Sequence, residues 1–219
     1  MKTSTRIVSA EQLNFFKCYE TRGFERDDVV IKNTYRQSPA CPGSGMLGFV
    51  HEGLVTGKWH RSVIAPQLQA VAVVSGDGRW IGADAFKYGE NLFRYVALAP
   101  SHVTLIPAKE VEKRASCEVL RSIVRSISLD WCSVASVNSM ARIDLRKRVL
   151  LLLFDLCRLH PRPELELRQQ DLADLLGVSR QTLNPILVAL ERDGLVAIGY
   201  SELVVDSSAL DRALIETSP

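Results

Sequence analysis

Long apolar runs are missing from this sequence. The longest, VLLLLF at residues 149–154, has six residues, whereas a helix that spans a bilayer needs about 20. The N-terminal residues MKTSTRIVSAEQL also lack the apolar core of a secretory signal. We therefore expect a cytoplasmic protein with reduced thiols and no membrane partner.

Cysteine and histidine are few and are poorly spaced for metal binding. The 5 cysteines include no CxxC pair, and the 4 histidines form neither an HxH nor an HxxxH motif. These spacings argue against a disulfide framework, a zinc knuckle and a cupin-type metal site. Two alternatives stay open: a single histidine that ligates haem and a redox-active cysteine. The cofactor, if there is one, is unknown at this point.

Net charge of one sign is nearly absent, because 27 Lys+Arg residues face 25 Asp+Glu residues and leave +2. The hydrophobic share of 47% and the charged share of 24% are those of a globular protein. Residues 1–138 hold 17 basic and 13 acidic residues, and residues 139–219 hold 10 and 12, so the two parts carry +4 and −2. Bulk charge therefore argues neither for nor against a nucleic-acid partner.

Glycine is confined largely to the first part of the chain. Nine of the 13 glycines lie between residues 43 and 89, and neither glycine nor proline occurs from 108 to 160. Short apolar runs at 29–31, 46–50, 69–74 and 102–106 are bounded by Gly, Pro, Ser and Asp, which is typical of short strands. Residues 1–108 are therefore predicted to form a jelly-roll-like β-barrel.

From residue 108 onward the pattern is helical. Apolar residues recur with the alternating spacing of three and four that is typical of a heptad seam. The seam consists of Cys117, Leu120, Val124, Ile127, Trp131, Val134 and Asn138. It predicts one long dimerisation helix over residues 109–138, in which Asn138 helps to fix the register. The alternative is a helix that packs against its own domain.

A helix-turn-helix motif follows at residues 169–188, QQDLADLLGVSRQTLNPILV. A small residue, Ala173, stands where the two helices cross, and Gly177 stands in the tight turn. Apolar residues occupy the positions that lock the helices together: Leu172, Leu176, Val178, Leu183 and Ile186. Because this spacing continues across the turn, no single amphipathic helix satisfies it. A structural helical hairpin with a polar face is the alternative.

Polar residues fill the start of the second helix of the motif. Ser179 is the expected N-cap, and the first two turns, which enter the major groove in this motif, contain Arg180, Gln181, Thr182 and Asn184. Arginine can pair with guanine, glutamine or asparagine with adenine, and threonine with a phosphate or a thymine methyl. Pro185 departs from the pattern, since a proline inside a helix costs about 3 kcal/mol and favours a kink or a local irregularity.

The flanking residues complete a winged helix-turn-helix domain over residues 139–219. A helix is expected from the N-cap Asp144 to the HPRP segment at 160–163. Apolar strands at 195–198 and 203–205 surround GYSE and predict a hairpin, with a further strand at 165–168. Since bulk charge is lacking, DNA binding has to depend on local cations, and we expect Arg168 to be one of them. The cations near the motif are Arg142, Arg146, Lys147, Arg148, Arg168 and Arg180.

The order of a strand-rich domain, a seam helix and a winged helix-turn-helix resembles the CRP/FNR family of bacterial transcription regulators. The most specific stretch is DLADLLGVSRQTLNPILVALERDGLV at 171–196, and GFVHEGLV and DGRWIGADAF are weaker matches. The resemblance implies an α+β fold with a cyclic-nucleotide-binding-type β-roll. It also implies a homodimer that binds near-palindromic double-stranded DNA. RNA polymerase and a small-molecule effector are the further partners we expect, and no enzymatic activity is expected.

The sequence departs from the family at the places that would bind an effector. Cyclic-nucleotide-binding members use a Gly-Glu pair and, later, an Arg-Ser or Arg-Thr pair. Here Gly82 is followed by Ala83, and the later place falls on Phe93 and Arg94. We take these four residues as the effector pocket, with Arg94 as its only cation, and expect an effector other than a cyclic nucleotide. A base-contacting arginine that is common in the family is replaced by Pro185.

Several alternatives stay open. The aromatic residues Trp59, Trp80, Phe86, Tyr88, Phe93 and Tyr95 form either the core of the first domain or an apolar effector pocket. Cys18 and Cys41 are too few for the four-thiolate cluster of FNR-like members, but Cys117 on the seam would lie beside its symmetry mate. A redox- or haem-responsive regulator of the same fold is therefore one alternative function. A β-roll protein whose helical domain binds protein rather than DNA is another.

Overall fold

The computed structural model describes residues 10–31, 45–60, 69–140, 143–161, 164–199, 202–206 and 208–210. The chain divides into two compact units, Met1–Cys132 and Ser133–Pro219. Each unit buries apolar side chains of its own.

Short strands dominate the described part of the first unit, and helices precede, interrupt and follow them. In chain order the elements are α1 (Ala10–Phe16), β1 (Thr21–Phe24), β2 (Val29–Ile31), β3 (Met46–Glu52), β4 (Val55–His60), β5 (Gln69–Ser75), β6 (Arg79–Ile81), α2 (Asp84–Tyr88), β7 (Phe93–Ala97), β8 (Ser101–Pro107), α3 (Ala108–Arg114) and α4 (Cys117–Met140). The strands predicted at 29–31, 46–50, 69–74 and 102–106 are confirmed as β2, β3, β5 and β8.

Two antiparallel four-stranded sheets form the body of this unit. One has the strand order β1-β8-β3-β6 and the other β2-β7-β4-β5. Buried side chains from both sheets share one core: Val30, Ile31, Val50, Val55, Ile81, Tyr95, Ala97 and Val103. The jelly-roll-like barrel expected from the sequence is thus present, among the described residues, as two open sheets around a common core rather than as a closed barrel. Strands this short leave edges that closure would have paired.

The helices cover the other face of the first sheet. Side chains alternate between the two faces of a strand, so Leu47 and Phe49 of β3 point away from the core that contains Val50. A second core forms there from Phe16, Leu47, Phe49, Trp80, Ala85, Ile106, Ala108, Val111, Val119 and Ile123. Because α1, α3 and α4 contribute to it, each of these helices is held by buried apolar contacts with the sheet.

Two hydrogen bonds fix the start of α4 on β6. The Trp80 indole Nε1–H donates to Ser122 Oγ at 2.8 Å, and the Trp80 backbone N–H donates to Ser126 Oγ at 3.1 Å. Trp80 is fully buried and Ser126 is buried, so both bonds are sheltered from water. The helix therefore packs against its own domain with the face of Val119, Ile123 and Ser126, which is not the face of the described seam residues.

The single helix expected over residues 109–138 is two helices. Ala115, which follows α3, has the extended backbone angles φ −68° and ψ 130°. Ser116 then accepts a hydrogen bond from Val119 N–H at 3.3 Å, which is the bond of an N-cap residue. The helical pattern was correct, but this capping serine gives α4 an N-terminus of its own at Cys117, and α4 continues to Met140.

The second unit is a helical domain with a small sheet. It contains α5 (Leu145–Leu159), β9 (Glu164–Arg168), α6 (Gln169–Leu176), α7 (Arg180–Arg192), β10 (Val196–Ile198) and β11 (Glu202–Asp206). The predicted N-cap of α5 is confirmed, since the Asp144 carboxylate accepts from Arg146 N–H at 3.1 Å. The strands form an antiparallel sheet of order β10-β11-β9, which confirms the predicted wing and its third strand.

The α+β class predicted from the sequence is confirmed by these two units. No helix within the described residues combines the length and apolar character needed to cross a membrane.

Candidate nucleic-acid interface

A tight turn joins α6 to α7. Gly177 ends α6 in the left-handed conformation, with φ 66° and ψ 33°, which glycine adopts without steric cost. Val178 N–H donates to Ala173 C=O at 3.1 Å, and Gly177 N–H donates to Asp174 C=O at 3.2 Å. The turn therefore supplies hydrogen-bond donors to carbonyl groups in the last turn of α6. Ser179 Oγ then accepts from Thr182 N–H at 3.1 Å and caps α7.

Buried apolar contacts lock the two helices together. Leu172, Ala173 and Leu183 are fully buried, and Leu176 is 7% exposed. Val178 and Ile186 are half-buried. The structure therefore places the residues that the motif required on the inner side of the turn. Leu187 and Leu190 continue the buried face of α7, so the helix is rigidly seated along its length.

The opposite face of α7 begins with a run of exposed polar side chains. These are Ser179 at the cap, followed by Arg180, Gln181, Thr182 and Asn184. The Thr182 hydroxyl lies 2.8 Å from Ser179 Oγ, and Arg180 Nε–H donates to Gln169 Oε1 at 3.1 Å. The structure thus brings together all the predicted residues of the first two turns.

Pro185 neither breaks α7 nor ends it. The helix runs without interruption from Arg180 to Arg192 and includes the proline. Pro185 is exposed, so the Gln181 carbonyl, which would receive the missing N–H, lies on the side open to water.

Besides Arg180, three of the predicted cations are engaged within their own unit. Arg146 forms an ion pair with Asp193 at the end of α7, and Arg148 donates to the Leu176 carbonyl at 2.8 Å. Arg168 donates two hydrogen bonds to the Asp171 carboxylate, from Nε at 2.8 Å and from Nη2 at 3.0 Å. Asp171 is only 5% exposed, so this pair supports the start of α6. Lys147 is exposed, and Arg142 lies outside the described residues.

The predicted seam residues of α4 are exposed where their side chains are described. Leu120 is 42% exposed, Val124 60% and Ile127 44%, and Cys117 is exposed too. We call these four residues the apolar stripe. The side chains of Trp131, Val134 and Asn138 lie outside the described ones, although their backbone belongs to α4.

The segment from Gly82 to Phe93, which contains three of the four predicted effector residues, is held by its own polar groups. Gly82 has φ 81°, and a Cβ there would lie 2.3 Å from the Met46 carbonyl oxygen. Asn91 is fully buried; its side chain accepts from Met46 N–H at 2.8 Å and donates to the Met46 and Gly82 carbonyls at 2.9 and 3.3 Å. We call Gly82–Phe93 the closed segment.

A half-buried carboxyl group lies within the closed segment. Asp84 accepts hydrogen bonds from the backbone N–H groups of Leu92 and Phe93 and from the Tyr95 hydroxyl. Burial raises the pKa of the Asp84 carboxyl, and the hydrogen bonds oppose that rise. The backbone N–H groups of Leu92 and Phe93 are therefore already occupied by a carboxyl group of the protein itself.

The other three predicted effector residues differ in how deeply they are buried. Ala83 is half-buried before α2, Phe93 is half-buried at the start of β7, and Arg94 is exposed on β7. Trp80 and Tyr95 belong to the two buried cores, and Phe86 packs against the first of them. The side chains of Trp59 and Tyr88 lie outside the described ones.

Comparison with known proteins gives the second unit a family. Residues 147–213 match the family model of the Crp-like helix-turn-helix domain. The chain carries a Crp-like helix-turn-helix domain. No curated protein sequence matches the chain significantly, so this domain match is the sequence-level finding.

Solved structures extend the similarity to the fold of nearly the whole chain. A CRP/FNR-family transcriptional regulator from Thermus thermophilus is 20% identical, covers 91% of this chain and 100% of its own, and has a TM-score of 0.67. The c-di-GMP-responsive global regulator CLP from Xanthomonas campestris is 18% identical, with 88% and 96% covered and a TM-score of 0.67. FixK2 from Bradyrhizobium japonicum is 16% identical, with 89% and 96% covered and a TM-score of 0.67. The chain thus has the CRP/FNR fold, and the predicted resemblance is confirmed for the fold and for the Crp-like domain.

A metal site is the other kind of ligand site that the sequence analysis considered. Among the described residues, no three His, Cys, Asp or Glu side chains cluster as a metal site would require. His51 Nε2 lies 2.7 Å from Thr104 Oγ1, and its ring lies edge-on against Phe16 and Phe49. Burial lowers the pKa of His51. This half-buried histidine packs against aromatic side chains of the first unit.

Sequence reasoning missed three residues that the structure places at the two sites. Gln169, 3% exposed, holds Arg180 within the Crp-like domain, and Asp84 and Asn91 hold the closed segment. Gln169 stands three residues before the buried Leu172, so helical spacing alone would have placed it on the inner face. The roles of Asp84 and Asn91 depend on contacts with distant strands and leave no local pattern.

Proposed function

We propose that this chain is a homodimeric, sequence-specific DNA-binding transcription regulator of the CRP/FNR type. The observation that carries the proposal is the exposed polar face at the start of α7, seated on a tight turn within a Crp-like domain. This is the face that enters the major groove in helix-turn-helix proteins. A protein of this kind works without enzymatic chemistry and acts in the cytoplasm, where bacterial DNA is.

Each residue of this face has a role that its chemistry suits. Arg180 pairs with guanine O6 and N7, and Gln181 or Asn184 pairs with adenine N6 and N7. Ser179 and Thr182, whose hydroxyls lie 2.8 Å apart, contact phosphate or a thymine methyl. Arg168 acts indirectly, since its pair with Asp171 keeps a buried carboxylate neutralised beside the DNA-facing surface.

The apolar stripe supports dimer formation through α4. Val119 and Ile123 are buried on one face of this helix, whereas the apolar stripe lies on another face and is exposed in the single chain. A heptad spacing suits pairing with the same face of a second copy. Two Crp-like domains would then read half-sites of a near-palindromic operator about 34–36 Å apart. A dimer bound at a promoter affects transcription by recruiting or excluding RNA polymerase.

Selection of operators from random DNA, followed by gel-shift titration, tests DNA recognition. We expect Arg180→Ala to weaken operator binding by about 1–3 kcal/mol, the usual worth of a good base contact. Arg192→Ala is the matched control, because Arg192 is an exposed arginine at the far end of the same helix. Equal operator affinity of the Arg180→Ala variant and the wild type would contradict the assignment.

Light scattering with size-exclusion chromatography tests the dimer. Val124→Asp places a charge in the apolar stripe and should yield monomers, while Arg125→Asp, a charge change at the adjacent exposed position, should leave the dimer intact. A wild-type chain that is monomeric at micromolar concentration would contradict this part of the proposal.

We further propose that the first unit responds to an effector and passes the response to α4. Trp80 supports this route, because it bonds to Ser122 and Ser126 of α4 and lies two residues before Gly82. The effector is unidentified. A standard cyclic nucleotide suits the closed segment poorly, since Asp84 already occupies backbone N–H donors there and would repel a phosphate. Calorimetry with cyclic AMP and cyclic GMP should show no binding.

A redox-responsive regulator is a second candidate, favoured by the exposed Cys117 of the apolar stripe. In a parallel dimer this thiol faces its symmetry mate, and an added oxidant such as diamide would join the two as a disulfide. Non-reducing gels should then show a covalent dimer for the wild type and for Cys18→Ser, which alters another exposed thiol, but not for Cys117→Ser. A monomer band for the oxidised wild type would eliminate this candidate.

A further inference from the structure

Among the described residues of the polar face, Arg180 is the one whose side chain forms a hydrogen bond with α6. Its Nε–H donates to Gln169 Oε1 at 3.1 Å. Gln169 is the first residue of α6 and is 3% exposed, whereas Arg180 is the exposed first residue of α7. A buried amide of one helix therefore holds the exposed guanidinium of the other.

This bond restricts how Arg180 can contact a base. An arginine side chain has several rotatable bonds, but its guanidinium is a rigid planar fork. With Nε engaged, the edge formed by Nε and one Nη is occupied. The two terminal Nη groups stay available for an end-on bidentate contact, which matches O6 and N7 of guanine.

The partner of Arg180 is neutral, and this matters for DNA binding. A carboxylate at position 169 would also accept from Nε, but it would cancel the positive charge of the guanidinium. The amide of Gln169 fixes the orientation and leaves the charge to act on the DNA. The adjacent Gln170 differs, because it is exposed and its side chain donates to Asp174 at 2.8 Å.

We infer that Gln169 is a positioning residue that presents Arg180 to a guanine through its two Nη groups, an inference that rests on the proposed DNA binding. The preorganised side chain loses less freedom when the complex forms. Gln169 thus contributes to base discrimination without contacting the DNA base itself.

The test compares Gln169→Leu with Gln170→Leu, which removes the same side chain from the next residue of the helix. Operators selected with the wild type are titrated by gel shift, and Arg180→Ala identifies the base pair that Arg180 reads. We expect Gln169→Leu to lose about fivefold to tenfold in operator affinity, because the Arg180 side chain then has to be ordered when the complex forms, and to relax the preference at that base pair. In the Arg180→Ala background the same change should have no further effect.

A second readout needs no DNA. In the spectrum of protein labelled with ¹⁵N-arginine, the Arg180 Nε–H signal, assigned by its loss in Arg180→Lys, should exchange slowly with solvent. Gln169→Leu should abolish this protection, and Gln170→Leu should preserve it. Gln169→Glu keeps an acceptor for Nε and guards against a folding defect of the leucine variant: protection should persist while affinity for random DNA falls.

The outcomes separate the inference from the proposed function. If Arg180→Ala loses the base preference but Gln169→Leu keeps it, Gln169 does not position Arg180 and the DNA-binding proposal stands. An unprotected Arg180 Nε–H in the wild type also overturns the positioning. If the wild type selects no operator at all, the proposed function fails, and the inference fails with it.

Discussion

The turn at Gly177 and the closed segment at Gly82 both require a glycine, but for different reasons. Both residues have left-handed backbones, with φ 66° and φ 81°. A Cβ at Gly177 would meet nothing within 4 Å, whereas a Cβ at Gly82 would lie 2.3 Å from the Met46 carbonyl oxygen. The first glycine is needed for its conformation, and the second is needed for its lack of a side chain as well.

The polar side chains that follow the two glycines also point in opposite directions: outward after Gly177 and inward after Gly82. After Gly177, Ser179 caps the next helix and the side chains that follow it are exposed. After Gly82, Asp84 and Asn91 are turned inward and bonded to the backbone. One region offers its polar groups to a partner, and the other uses them to hold itself together.

Replacement of Gly82 is expected to have the largest effect. Gly82→Ala adds a methyl group against a backbone oxygen that cannot move as a side chain can, so we expect a loss of roughly 3–4 kcal/mol in the free energy of unfolding. Gly89→Ala is the matched control: Gly89 has φ 69° with nothing within 4 Å of an added Cβ, and it should lose only about 1 kcal/mol. Urea unfolding followed by circular dichroism measures both, and equal losses would show that conformation alone matters at Gly82.

Removal of the Asn91 side chain should rank second. Asn91→Ala removes a fully buried side chain and leaves the N–H and C=O of the half-buried Met46 without their side-chain partner, at an expected cost of about 2–3 kcal/mol. Asn14→Ala removes an exposed asparagine that accepts one hydrogen bond, from Lys17, and should change stability by less than about 0.5 kcal/mol. A small effect at Asn91 would mean that the closed segment is held mainly by Asp84.

The two regions also differ in how far the sequence alone could describe them. The helix-turn-helix is local: Ala173, Gly177 and Leu183 satisfy one continuous spacing, so its position and its exposed face were both predictable. The start of α4 was missed although Ser116 is a recognisable cap, because the heptad pattern extended smoothly across it. The closed segment joins Asn91 to Met46, which is 45 residues away, and no local pattern indicates such a bond. Arg94 was predicted as the cation of a pocket, yet strand alternation turns it toward solvent.

A smaller loss is expected from Gly177. Gly177→Ala should cost about 1 kcal/mol, since the left-handed backbone is strained for alanine but no atom opposes the methyl group. Gly177→Asn should cost less, because asparagine tolerates this conformation better. Operator affinity of the folded variants should stay within about threefold of the wild type, since the Ser179 cap is retained. Loss of more than about 3 kcal/mol in unfolding free energy would mean that this turn is as crowded as Gly82.

Replacement of the Asp84 carboxylate should have the smallest effect at neutral pH and a dependence on pH. Burial raises the pKa of Asp84 in the folded protein, so the folded state binds its proton more tightly than the unfolded chain does. The stability that this proton contributes is therefore fully present below the unfolded pKa and is lost as pH rises through the raised folded pKa.

Asp84→Asn has no such proton to lose, and its amide oxygen can still accept from Leu92 or Phe93. We expect the variant to gain on the wild type by up to about 1 kcal/mol as pH rises from about 3 to about 7. Urea titrations of both proteins at several pH values measure this difference. A variant that instead loses ground as pH rises would mean that the hydrogen bonds to Asp84 outweigh its burial and that the carboxylate stabilises the closed segment as an anion.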